Sequence, residues 1–433
     1  MVELDCTLLD LPANLAEQYA PQVRAALAQM ADVEAGKIVN VDEKRMVGHY
    51  WLRAPKLAPP TEGKAIVAAQ EHVEQFTAEA RKRFNCYLLV GIGGSALGPQ
   101  FLANAFREPG RTPSIYFFDN TDPEGFTRTL RDITLTCGLA KTLTIVVSKS
   151  GGTPETRNGM LVAQRAYQDA GLDFAKHAAT VTEPGSHLEK LAAGWLARFP
   201  IWDWVGGRTS LFSPVGLLPA ALLGFDWRGL LKGAAEMDER TRPTRGDPKQ
   251  NPSLQLALAW YHQTERRGIS HMVVLPYADK LALLASYLQQ LVMESLGKDG
   301  KGISVFGNKG STDQHSYVQQ LRDGRPDFFA AFVRLLHPQT DPVAMIEVEP
   351  GFTSADFLAA FQEGTAKALH DAGRGSLRLS IDRVSEENVG GIIALFERAV
   401  GYYAAMIGIN AYNQPGVEAG KKAAKEILAA KKK

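Results

Sequence analysis

The stretch 148–156 reads Ser-Lys-Ser-Gly-Gly-Thr-Pro-Glu-Thr, which sets four hydroxyls, one ammonium and two glycines in nine positions. Hydroxyls donate hydrogen bonds, glycines open the backbone to a close ligand, and the lysine adds positive charge. Pro154 suits the first turn of a helix and Thr153 suits its cap, so free N–H groups would face an anion there. Together these features point to a bound phosphate, with Ser148, Lys149, Ser150 and Thr153 as its contacts. Glu155 is out of character, because a carboxylate in that turn repels an anion. The turn lacks the Gly-Lys-Ser/Thr ending of a P-loop, so ATP chemistry is not indicated.

A second glycine-rich turn, Gly91-Ile92-Gly93-Gly94-Ser95-Ala96-Leu97-Gly98, follows an apolar run and opens a helical pattern. Gly94 and Ser95 are its candidates for touching a ligand. Gly91, Gly93 and Ala96 also fit a loose G-x-G-x-x-G/A pattern. Asp119 closes the next apolar run, where a dinucleotide-binding protein places its ribose acid. A nicotinamide-linked oxidoreductase is one reading of this turn, and a tight strand-to-helix connection is another.

Four dispersed residues carry further chemistry. Glu294 lies near the end of a helical pattern over 279–296, among Leu288, Leu291, Val292 and Met293. A partly desolvated carboxylate at the negative end of a helix is a candidate base for a proton beside a carbonyl. Tyr287, Gln290 and Glu294 are spaced to share one face. In the C-terminal pattern, Val417, Lys421, Ala424 and Leu428 recur at helical spacing, which predicts that Lys421 is aimed inward. His315 ends Gly-Ser-Thr-Asp-Gln-His, and imidazole carries protons near neutral pH. Arg208 follows two glycines, where a guanidinium can approach a ligand and hold a developing negative oxygen. Gln290 and Gln414 are candidate hydrogen-bonding contacts for a ligand.

Alternating strands and helices must position these groups. Cys86–Val90, Ser114–Phe118, Thr142–Val147 and Ala178–Thr182 read as strands, between helical patterns at 62–84, at 97–106 and from Asp122-Pro123 onward. The alternation restarts with strands at 271–277, 303–307, 344–348 and 376–381, and helices at 279–296, 354–371 and 388–407. It predicts an α/β protein of two doubly wound parallel-sheet domains with helices on both faces. The expected divisions are a helical extension over 1–45, a first domain over 46–225, a second over 226–410, and a C-terminal helix over 411–433 carrying Lys421. The Arg-, Pro- and Gly-rich stretch 241–248 suits the boundary.

The bulk composition excludes several classes. The 433 residues hold 48 Lys+Arg against 47 Asp+Glu, which argues against a nucleic-acid or membrane-surface binder. Three cysteines without metal spacing fit a reducing compartment. The acidic start and the lack of any uncharged apolar run of about 18 residues predict a cytoplasmic protein without a span. No histidine pair has metal-ligand spacing.

The segments 91–99, 148–156, 206–213, 293–298, 310–315 and 414–421 occur in an order that resembles the phosphoglucose isomerase family in its shorter bacterial form. The resemblance runs over roughly residues 45 to 425. It implies two sugar-isomerase (SIS) domains and the glycolytic and gluconeogenic exchange of glucose 6-phosphate with fructose 6-phosphate through a cis-enediolate, with no cofactor and no metal. On that resemblance Glu294 is the proton-shuttling base, Lys421 lies near the sugar ring oxygen, and His315 opens the ring from across a homodimer interface. An isomerase for both glucose and mannose 6-phosphates, an NAD-linked oxidoreductase and a non-catalytic sugar-phosphate sensor stay open beside it.

Overall fold

The computed structural model describes residues 2–338 and 341–431, with the backbone alone of Glu418. Its first sheet is built from β2 (Cys86–Val90), β3 (Ser114–Phe118), β4 (Thr142–Val147), β5 (Ala178–Thr182) and β6 (Ala197–Pro200). All pair in parallel, in the order β3-β2-β4-β5-β6. A parallel sheet with both faces covered needs strands that are apolar throughout, and every residue of β2 and β4 is buried. Asp122 caps the helix Pro123–Thr136 by accepting from the N–H groups of Glu124 and Gly125, as the Asp-Pro pair predicts.

The chain leaves β2 for β3 on one side and returns to β4 on the other. The strand order therefore reverses between β2 and β4, and a crevice opens outside their carboxyl ends. The turns 91–98 and 148–156 grow from those two ends.

The second sheet runs in the order β1-β12-β9-β7-β8. Its members are β1 (Glu3–Asp5), β7 (His271–Pro276), β8 (Ser304–Phe306), β9 (Phe328–Leu335) and β12 (Ser376–Ile381). All are parallel except β1, which pairs antiparallel with β12 at the edge. The stretch 1–45, expected as a helical extension, thus begins as a strand of this sheet, and Asp5 there pairs with Arg378 at 2.8 Å.

One strand is misplaced by the sequence pattern. The apolar run at 344–348, expected in the sheet, is split between a helical turn (Pro342–Met345) and an outlying hairpin of β10 (Glu347–Glu349) and β11 (Phe352–Thr353). Ile346 and Val348 are 61% and 49% exposed. The central strand is β9 instead, whose first six residues are buried. Both segments are short and apolar, and only pairing with β7 and β12 tells them apart.

Behind the sheets lies the helix Glu386–Ile407, packed on the helices Ala20–Glu34, Trp227–Thr241 and Pro252–Glu265. It is long and apolar enough to cross a membrane, yet 94% of its apolar window is buried within the protein, as in a core helix. Two charges on it are buried and paired. Arg398 reaches Asp238 at 2.6 Å and Glu34 at 2.5 Å, while Glu397 binds Arg53, which also holds Asp238 at 2.9 Å. The network ties three of these helices and the turn His49–Arg53 into one block. Removing a single member would strand a buried charge.

Candidate active site

The glycine turn is flanked by the loop after β6 on one side and by Gln290 on the other. A Cβ on Gly94 would lie 2.1 Å from the Gly207 carbonyl oxygen, so only glycine lets these backbones touch. Ser210 bridges the contact, its Oγ directed at Gly207 O at 2.8 Å and Gly94 O at 3.5 Å. Gly93 takes φ +57°, and a Cβ there would come within 3.1 Å of Gln290 Nε2. Gln290 therefore lies over the turn from the second sheet's side. The ledge a dinucleotide would use on this turn is covered by Gly207 and Gln290, and Asp119 is engaged by Gln100 Nε2 at 2.6 Å.

Arg208, the residue after that contact, is 6% exposed and anchored through both terminal nitrogens. Its Nη2 donates to Asn413 O at 2.9 Å, Ala411 O at 3.4 Å and Gln414 Oε1 at 3.2 Å. Its Nη1 donates to the same Gln414 oxygen at 3.2 Å and pairs with Glu294 Oε2 at 3.2 Å. Burial lowers its pKa, and the Glu294 carboxylate works against that shift. Gln290 Nε2 completes the set, donating to Glu294 Oε2 at 3.0 Å. The structure thus gathers Gly94, Arg208, Gln290, Glu294 and Gln414 from four distant stretches of chain.

Glu294 does not end a plain α-helix. The expected helix over 279–296 is a helical turn (Asp279–Leu281), one α segment (Leu284–Leu288) and a π-helical turn (Gln289–Glu294). Such widened turns recur at functional sites because they re-aim side chains. Gln290 and Glu294 keep a common face here, whereas Tyr287 turns into the core and stacks on Phe101 at 5.8 Å.

At the hydroxyl turn, Ser148 is buried and its Oγ donates to Thr153 Oγ1 at 3.3 Å, while Ser150 is exposed and its Oγ accepts from Gly152 N at 3.2 Å. No side chain caps the helix Pro154–Asp169, which leaves its N-terminal N–H groups to an anion. Ser95 is half-buried across the crevice. Lys149 is directed differently from expectation. Its Nζ donates to Asp203 O at 2.7 Å and Val205 O at 3.0 Å, strapping this turn to the one that carries Arg208. Burial brings its amine down to about 8. None of the ion pairs among the described residues involves Glu155.

The remaining two candidates stand apart from the cluster. His315 is exposed at the end of the turn Thr312–His315, and among the described residues no hydrogen bond, ion pair or ring contact joins it to Glu294 or Arg208. Its turn is firmly built, with Asp313 buried and accepting from Tyr317 Oη at 2.6 Å. Lys421 sits on the helix Pro415–Ala430, where it is exposed, contrary to the inward aim expected of it. Val417 and Leu428 on its stripe are 44% and 63% exposed. Helical period identifies a stripe, but a single chain supplies no surface to cover this one.

Sequence reasoning missed a narrow cavity behind Arg208, lined among others by His49, Trp204, Glu397 and Tyr412. His49 and Glu397 are buried, and His49 Nε2 and Glu397 Oε1 have no hydrogen-bond partner among the described residues. Burial drives the His49 imidazole well below its ordinary range and pushes Glu397 up to about 7. Both lie in apolar stretches, so local pattern carried no signal for them.

Among known proteins, the family described as Phosphoglucose isomerase matches residues 12–433. The chain is 53% identical over 430 residues to a glucose-6-phosphate isomerase of Gloeothece citriformis, covering 95% of this chain and 81% of that one. It is 51% identical over 446 residues to that of Geobacter sulfurreducens, covering 98% and 83%. The crystal structure of a glucose-6-phosphate isomerase from Chlamydia trachomatis superposes with a TM-score of 0.89 at 26% identity, over 100% of this chain and 89% of that one.

Proposed function

Since the chain belongs to the phosphoglucose isomerase family, it interconverts glucose 6-phosphate and fructose 6-phosphate in glycolysis and gluconeogenesis, and we propose that Glu294 is the group that moves the proton. The supporting observation is the placement of Glu294. Its carboxylate is held by Arg208 and Gln290, beside the glycine turn and with a quarter of its side chain open to solvent.

The reaction exchanges one proton between C2 and C1. In a cis-enediolate both carbons present the same face, so one carboxylate can take the proton from C2 and return it to C1. The two carbons exchange oxidation state within the molecule. Arg208 donates to the oxygen that becomes negative, from a buried setting where a fixed donor acts most strongly. Ser148, Ser150 and Thr153, with Lys149 bracing their turn, hold the phosphate at the uncapped helix start. Gly94 and Ser95 line the crevice, and Gln290 and Gln414 meet sugar hydroxyls. Anchoring the remote phosphate lets its binding energy orient the reacting carbons.

Ring opening comes first, carried by His315 and Lys421: the ring oxygen O5 gains a proton as the anomeric hydroxyl loses one. His315 of the partner subunit of a homodimer serves each site. Two features support this reading: His315 is exposed and outside the Arg208–Glu294 cluster, and the C-terminal helix leaves an apolar stripe uncovered.

The direct test is Glu294→Gln, which keeps the hydrogen bonds to Arg208 and loses the base. Isomerisation should fall to background while the sugar phosphate still binds by calorimetry. Near-normal turnover would remove Glu294 from this role.

A further inference from the structure

The second sheet repeats the device of the first. From β7 the chain goes to β8 on one side and then to β9 on the other, so strand order reverses between β7 and β9. Ligands of doubly wound sheets bind outside the carboxyl ends at such a reversal. A cavity of about 540 Å³ lies there. Its walls include Tyr277 just past β7, Arg334 and Leu335 at the end of β9, and Leu358 and Gln362 on the helix Ser354–Asp371. That volume suits a small molecule.

Three buried polar atoms on these residues have no hydrogen-bond partner among the described residues, Tyr277 Oη being one. Gln362 is 1% exposed, and its Oε1 has no hydrogen-bond partner among the described residues. Arg334 Nε is buried and likewise without one. Buried polar groups are nearly always paired, so an unpaired acceptor and an unpaired donor on residues that line one cavity mark a place where a ligand completes them once the two side chains turn outward.

The charges select among ligands. The helix start that would attract an anion is already occupied by its own Asp356, which accepts from Thr353 N at 2.8 Å and Thr353 Oγ1 at 2.7 Å. Arg334 is neutralised by Glu363 at 2.5 Å. The helix start at the first crevice has no such cap. A phosphate therefore fits the first crevice and not the second.

We propose that this cavity is a second, non-catalytic site for a neutral hydroxylated ligand, an unphosphorylated sugar or polyol, whose hydroxyl donates to Gln362 Oε1 and whose oxygen accepts from Arg334 Nε. Leu335 and Leu358 meet the C–H face of such a molecule. The site is independent of Glu294 and Arg208.

The test uses the full chain saturated with glucose 6-phosphate, so that the first crevice is filled, with glucose and glucitol as probes in saturation-transfer NMR. Transfer to at least one probe should persist under that saturation. In Gln362→Leu, which keeps the volume and removes the acceptor, affinity should fall about tenfold, the worth of one neutral hydrogen bond. Isomerase kcat and KM should not change. Ala359→Phe, which fills the cavity from the same helix, should abolish transfer and covers the case in which the first variant fails to fold. No transfer in the unaltered protein, loss of transfer under glucose 6-phosphate, or undiminished transfer in the filled variant would overturn the assignment.

Discussion

Replacing Arg208 by lysine keeps its charge and removes its fork, whose two terminal nitrogens share Gln414 Oε1 and otherwise hold different groups. Nη2 ties down the stretch 411–414 through Asn413 O at 2.9 Å, Ala411 O at 3.4 Å and Gln414 Oε1 at 3.2 Å. Nη1 holds Glu294 at 3.2 Å. One ammonium serves one of these groups. If it stays with Glu294, the buried carbonyls lose their donor, at a cost of about 1–3 kcal/mol in stability. If it stays with the carbonyls, the enediolate loses its donor, and loss of such a donor lowers kcat about 100- to 1000-fold. The carbonyls lie at the buried end and offer three acceptors, so the second outcome is expected. The assay couples formation of glucose 6-phosphate to reduction of a nicotinamide, with an unfolding midpoint measured alongside. A folded Arg208→Lys protein should lose kcat by that factor with KM changed less than about threefold, the signature of an interaction made mainly in the transition state. A folded variant with unaltered kcat would refute the role given to Arg208.

Two further outcomes are expected. If sites are shared between subunits, His315→Ala and Glu294→Gln proteins, each inactive, should regain activity when mixed under conditions of subunit exchange, because some hybrid sites then hold both native groups; a mixture as inactive as its components would count against a shared site. Burial holds the Lys149 amine at about 8 against an ordinary 10.5. Between those values the unfolded chain binds a proton that the folded chain has released, so stability rises with pH across that window. Lys149→Met should show a shallower rise in urea midpoint than the unaltered protein, and identical slopes would contradict the burial of this amine.

Much of the architecture was legible in the sequence. β2, β3, β4 and β5 stand where their apolar runs place them, because strands covered on both faces must be apolar throughout. The helix Ser354–Asp371 stands over the helical pattern at 354–371. The exchange of 344–348 for β9 was not legible, since apolar content says that a segment can be buried and not which partners will bury it. The same limit applies to Lys421, whose stripe is real and uncovered in the single chain.

By itself, the sequence marked two glycine-rich turns, the strands that bear them, and Glu294, His315, Arg208 and Lys421 as candidates. Their residue types and local spacing are short-range properties of the chain. Only the tertiary structure decided that Gly94 touches Gly207, that Arg208 is caught between Glu294 and the carbonyls of 411–413, and that Lys149 straps one turn to another. It also decided that Gln290 faces the glycine turn while Tyr287 does not, through one π-helical turn. These arrangements join residues more than fifty positions apart or hinge on a single widened turn. Sequence spacing carries no information about such distances until two sheets pack against a common core.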